Sequence, residues 1–260
     1  MRQQTETAMT AAGRNLSLIR DLANPNRFLA FAGPAIRIAA AATAVALAAG
    51  LWLALRAPED YQQGATVLIM FIHVPAAWLS MFAYGVMTMA AVGYLVWRHP
   101  LADAALRAAA PIGAVFTLLA LVTGSLWGKP MWGTWWVWDA RLTSVFVLLL
   151  IYLGLIAFIR AAEEPSAVSR PLAVLTLIGS VNLPVIKFSV DWWNTLHQPA
   201  SVARFARPAM DAAFLYPLLT MALAYTLLFV TLHLAAIRNE ILDRRLRALR
   251  QSAAHGAEAG

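Results

Sequence analysis

"LTSVFVLLLIYLGLIAFI", residues 142–159, carries no charged side chain and is flanked by Arg141 and Arg160. A helix of about 20 apolar residues crosses the roughly 30 Å hydrocarbon core of a bilayer, so this stretch reads as a membrane span. Ile38–Leu55, Val74–Trp97, Ala108–Gly128, Pro171–Ile186 and Ala212–Ile237 are charge-free in the same way. The runs are continuous and do not alternate, which excludes a transmembrane β-barrel. The chain is 61% hydrophobic and only 13% charged, against roughly 45–50% and about 25% in soluble domains. The expected fold is an all-α integral membrane protein with six transmembrane helices. Pro184 interrupts the fifth run and Lys187 follows it, a kink that neighbouring helices must accommodate.

Working outward from the spans, residues 1–36 form a polar N-terminal segment, 37–237 the six-helix membrane domain and 238–260 a basic tail. Residues 1–30 lack the apolar core of a cleavable signal peptide, so the first span is expected to act as an uncleaved anchor. Of the 20 lysines and arginines, 14 fall in the N-terminus, the 98–107 and 160–170 loops and the tail, and six on the opposite side. The positive-inside rule then places both termini in the cytoplasm and the 57–73, 127–141 and 188–211 segments on the outer face. The formal charge of +7 is thus an orientation signal, and nucleic acid is not expected as a partner. In the tail, Ile237, Ile241, Leu242, Leu246 and Leu249 recur near helical spacing between arginines. It reads either as a basic stop signal or as an extension of the sixth helix along the bilayer or against a partner.

No cysteine is present, which removes disulfides and thiolate metal sites. The chain has no Gly-rich phosphate loop, HExxH or nucleophile elbow, and the six runs hold no carboxylate. ATP hydrolysis within this chain and ion pumping through intramembrane acids are therefore not expected.

What remains is an aromatic concentration. "WGKPMWGTWWVWDARLT", residues 127–143, holds five of the ten tryptophans, followed by Asp139. An interfacial belt needs one or two indoles per helix end, so this density suits a planar aromatic ligand. If the stretch were helical, Trp127, Trp135 and Trp138 would gather on one side with Trp132 and Trp136 beside them. His73 in "FIHVPAAW" and His197 in "WWNTLHQPAS" flank the cluster in sequence and fall on its side of the membrane. Two imidazoles approaching opposite faces of a porphyrin would ligate haem iron without cysteine. His99 and His233 fall near the other ends of their spans and form a rival inner pair, while His255 lies in a Gly/Ala-rich tail. Asp139 either braces the loop, for instance through Arg141, or orients a ligand-binding group. For haem propionates the outer cations are Lys129, Arg141, Arg204 and Arg207, with Arg141 favoured because it adjoins the tryptophans.

These three segments together resemble the WWD-signature, haem-handling membrane proteins of cytochrome c biogenesis, and within them the CcmC family of system I maturation. The resemblance covers roughly residues 35–240. It implies a protein of the bacterial inner membrane that binds haem b on the periplasmic side. It implies His73 and His197 as axial ligands to the haem iron. Trp127, Trp132, Trp135, Trp136, Trp138 and Asp139 would form the haem-binding segment. It further implies transfer of haem to a periplasmic haem chaperone, in company with ABC ATPase and permease subunits and a small single-helix subunit. A permease moving haem through its own helices, and a two-haem electron-transfer cytochrome using His99 and His233, are the alternatives. The larger haem lyase with the same signature has more helices than this chain.

Overall fold

The computed structural model describes residues 24–162, 164–193, 195–197 and 210–258. The described residues form helices α1 (Pro25–Ala54), α2 (Met70–Trp97), α3 (Pro100–Trp132), α4 (Ala140–Ala161), α5 (Pro165–Ser180), α6 (Asn182–Trp192) and α7 (Ala212–Glu258), with a short 3-10 turn over Ala65–Ile69. No strand occurs among them. Six helical stretches are long and apolar enough to cross a membrane, as the sequence predicts. The bounds are wider than the charge-free runs: α1 starts at Pro25, well before Ile38, and the fifth span covers Ser166–Trp192.

Local chemistry explains the ends. Asn24 caps α1 through its side chain, which accepts the Asn26 N–H at 2.9 Å, and Pro25 takes the first helical position, where its missing N–H costs nothing. Pro100 and Pro165 open α3 and α5 in the same way. The fifth span is two helices, α5 and α6, broken at Val181. Pro184 causes the break, because its ring collides with the carbonyl four residues earlier, at Ser180, the last residue of α5. Asn182 ties the break to α4 by donating from Nδ2 to the Ser144 carbonyl at 2.9 Å.

The longest packing seams join α2 to α3 and α1 to α7, and α7 also lies against α2 and α3. One apolar cluster sits where α2, α3 and α7 meet, around Phe71, Leu79, Phe116, Met221 and Phe229. A second joins α2, α3, α4 and α5 around Tyr84, Leu148, Tyr152 and Leu172. Two tyrosines carry its polar load: Tyr84 donates to the Thr176 carbonyl at 3.1 Å and Tyr152 to the Ser80 carbonyl at 2.8 Å. Their rings meet edge-on at 5.2 Å. A buried hydroxyl without a partner would cost several kcal/mol in lipid-like surroundings, roughly.

α7 continues unbroken past Ile237 to Glu258, so the basic tail extends the last span. Ile237 and Ile241 bury against Ala104 and Ala108 of α3. Arg244 reaches Asp103 at 2.5 Å and Glu240 at 2.8 Å, and Arg245 hydrogen-bonds Asn26. The tail therefore folds against the start of α1 and α3.

Candidate functional site

At the opposite end of α3, the helix stops at Trp132 because Gly133 adopts a left-handed φ of 75°, with its N–H donating to the Lys129 carbonyl at 3.0 Å. Such a terminus suits glycine, which has no Cβ to clash. The chain then runs without helix to Asp139, the N-cap of α4. The stretch is not one helix, so the one-sided grouping that a helix would give does not apply: the five indoles belong to a helix end and a loop. Trp127 lies on α3 and its ring meets His73 edge-on at 5.7 Å. Trp132, the last residue of α3, meets His197 at 4.9 Å. Trp136 and Trp138 contact each other at 5.4 Å and both contact Phe146 of α4. Trp135 lies beneath the Lys129 ammonium, 5.8 Å away. Trp135 and Trp138 are 54% and 74% exposed, open to a ligand or to lipid.

His73 stands in the first turn of α2. Its Nδ1 lies 3.1 Å from the Ala120 carbonyl and 3.1 Å from Thr123 Oγ1, both on α3. A carbonyl oxygen only accepts, so Nδ1 carries the proton and Nε2 keeps its lone pair. This approach needs Gly124, where an added Cβ would fall 2.9 Å from His73 Cε1. The first loop supports the same corner. Asp60 Oδ1 accepts the N–H of Gln62 and of Gln63, each at 2.9 Å, and the Gln63 side chain accepts the Trp127 indole N–H at 3.0 Å.

His197 is held by an acid. Its Nδ1 lies 2.9 Å from Asp139 Oδ2. The other carboxylate oxygen, Oδ1, accepts the Leu142 N–H at 2.7 Å and caps α4. Thr195 donates its hydroxyl to Oδ2 and accepts the His197 backbone N–H at 3.1 Å. Burial alone would raise the Asp139 pKa, but the hydrogen bonds from Thr195, Leu142 and His197 override it and hold the carboxyl below its ordinary value. An ionised carboxylate accepts only, so His197 too has its proton on Nδ1 and an unprotonated Nε2. Burial lowers the His197 pKa, partly offset by Asp139, which keeps the ring neutral near pH 7. Asp139 therefore both braces the loop and orients a histidine.

Arg141 does not brace Asp139 by a hydrogen bond. Its guanidinium spans to α6, with Nε 3.3 Å from Ser189 Oγ and Nη2 3.4 Å from the Lys187 carbonyl. Lys129 donates to the Gly133 carbonyl at 3.0 Å. Arg204 and Arg207 lie outside the described residues, as do Arg2, Arg14 and Arg20 of the charge count. The rival histidines differ in kind. His233 spends Nε2 on the Ala105 carbonyl at 2.9 Å, and His99 precedes α3 without a side-chain capping bond, its Nδ1 buried and unpartnered among the described residues. Burial lowers the His99 pKa.

Thr195, Thr123, Gly124 and Gln63 were not singled out by the sequence. Thr195 had a local signal, a hydroxyl two residues before a histidine, which commonly closes a turn on the backbone. Gly124, a lone glycine inside a helical run, signalled a close approach.

Comparison with known proteins follows the same lines. A family model described as heme exporter protein C matches residues 18–252. The chain is 67% identical over 229 residues to "Heme exporter protein C" of Bradyrhizobium diazoefficiens, covering 88% of this chain and 87% of the relative. It is 43% identical over 232 residues to the protein of that name from Paracoccus denitrificans, covering 89% and 96%. A cytochrome c biosynthesis ccmC-like mitochondrial protein of Marchantia polymorpha is 51% identical over 163 residues, covering 63% and 68%.

Proposed function

The chain belongs to the heme exporter protein C family, CcmC, and on that premise we propose that it holds haem b between His73 and His197 and passes it to a periplasmic haem chaperone. The observation that carries this reading is the matched state of the two imidazoles. Each has its Nδ1 proton fixed by an acceptor in the fold, Ala120 for one and Asp139 for the other, which leaves Nε2 unprotonated with its lone pair in both. Axial histidines are oriented in this way, because the acceptor facing Nδ1 sets tautomer and ring direction and raises ligand basicity. Each ring also packs edge-on against a tryptophan of the signature, Trp127 or Trp132.

In this reading haem is cargo. Trp127 and Trp132 confine the ligands, while Trp135, Trp136 and Trp138 offer indole surface to the macrocycle, whose planar π-system stacks or meets edges favourably. The exposure of Trp135 and Trp138 leaves the bound haem accessible from the membrane edge, which suits a carrier that must release what it holds. Lys129 and Arg141 supply positive charge at the same end for propionates. The site end of the bundle faces the periplasm by the distribution of arginines and lysines. ABC ATPase and permease subunits and a single-helix subunit are the partners in this reading, which rests on membership of a heme exporter family.

The test is the absorbance spectrum of the purified protein with added haem. A six-coordinate, low-spin spectrum is expected, converting to a five-coordinate one in His73→Ala and in His197→Ala, with chaperone loading lost in both. Unchanged spectra and unchanged loading in the two variants would overturn the ligand assignment.

A further inference from the structure

At the end of the bundle away from the tryptophans lies a cavity of about 400 Å³. It sits where α2 ends, α3 and α5 begin and α7 runs past, with Tyr94, Arg98, Ser166, Arg244 and Arg247 among its walls. Three spans start or stop here, so the cavity lies at the depth where lipid headgroups meet the hydrocarbon edge.

Its charges are unequally committed. Asp103, buried in the floor, is fully occupied: Arg107 Nε reaches its two oxygens at 3.3 and 3.2 Å, and Arg244 Nη2 reaches Oδ2 at 2.5 Å. Arg107 is anchored further by donating to Ser169 at 3.0 Å. Arg98 and Arg247 make no ion pair or side-chain hydrogen bond among the described residues, and Arg98 lies 5.8 Å over the Tyr94 ring. The other acid among the described lining residues, Glu164, is exposed. Two guanidinium groups thus line the cavity without a charged partner among the described residues, and the positive ends of the α3 and α5 dipoles add to their charge.

We propose that this cavity binds a phosphate group, and specifically the phosphate of a phospholipid headgroup. Guanidinium matches phosphate oxygens with paired donors. A diacyl lipid at this depth delivers its phosphate there while its chains stay in the bilayer. A bound headgroup joins the end of α2, the start of α5 and the α7 extension, three elements that lack a covalent tie.

The full chain purified in mild detergent is titrated by native mass spectrometry with dioleoyl phosphatidylglycerol, with diacylglycerol of the same chains and with inorganic phosphate. Phosphatidylglycerol is expected to bind and diacylglycerol to bind far more weakly. The double variant R98Q/R247Q is expected to lose about tenfold or more in phosphatidylglycerol affinity, since both charged donors to the phosphate oxygens are gone. R245Q removes the same charge from α7 outside the cavity walls and should bind as the parent does. Both altered arginines are exposed, and circular dichroism with haem titration verifies that the double variant is folded. Equal binding of the two lipids, or equal losses in R98Q/R247Q and R245Q, overturns the proposal. Displacement of phosphatidylglycerol by millimolar inorganic phosphate assigns the cavity to a soluble phosphate and overturns the lipid assignment.

Discussion

Replacing Asp139 by Asn separates the two roles of one carboxylate. Oδ1 caps α4 through the Leu142 N–H, while Oδ2 takes the His197 Nδ1 proton and the Thr195 hydroxyl. Asparagine has one acceptor oxygen and one amide nitrogen that only donates. If the oxygen keeps the cap, the amide meets His197 donor to donor, and the ring must rotate or move its proton to Nε2, the nitrogen needed for iron. If the oxygen turns to His197, the Leu142 N–H loses its cap. Loss of a hydrogen bond to a charged group costs about 1.5–3 kcal/mol, and altered second-shell partners of a ligating histidine cost about 10–100-fold in affinity. Since Asn caps helices as well as Asp does, we expect the cap to persist and haem affinity to fall by about that factor. Asp139→Ala should lose both, adding about 1 kcal/mol of lost folding stability. Haem titration followed in the Soret band gives the affinity, and thermal unfolding of the haem-free protein gives the stability. Wild-type affinity in Asp139→Asn, or equal destabilisation in the Asn and Ala variants, refutes the division of labour.

Gly124→Ala places a methyl 2.9 Å from His73 Cε1, and the ring must give way because the neighbour is α3 itself. Haem content per folded protein should fall several-fold, measured by pyridine haemochrome, while helicity stays at the parent level. Binding should also follow the His197 titration. Its pKa lies below the ordinary 6.5, so the neutral ligand predominates at that pH and protonation sets in at more acid pH than for a free imidazole. Haem retention should be flat near pH 8 and fall as pH drops through the lowered value, with its midpoint below 6.5. A midpoint above pH 6.5 contradicts this.

The spans were legible because each is a property of its own segment. Apolar length decides whether a stretch such as Leu142–Ile159 crosses a bilayer, and no distant residue has to be known. The break in the fifth span was legible for the same reason, since Pro184 acts on the carbonyl four residues back. The tail was half legible: its spacing allowed an extended helix, but Arg244 meeting Asp103 required α3 to lie beside it. The tryptophans were legible as a cluster and their shape was not, because one glycine at position 133 with φ 75° ends α3 in the middle of the stretch.

By itself the sequence determined the membrane class, the six spans, and which histidines share an end with the tryptophans. Those follow from local apolarity and from the alternation of direction between consecutive spans. Only the tertiary structure decided which nitrogen each histidine keeps free. His73 takes its acceptor from Ala120 and His197 from Asp139, 47 and 58 residues away along the chain. A proton's position on imidazole is set by the acceptor facing it, and that acceptor is brought there by helix packing.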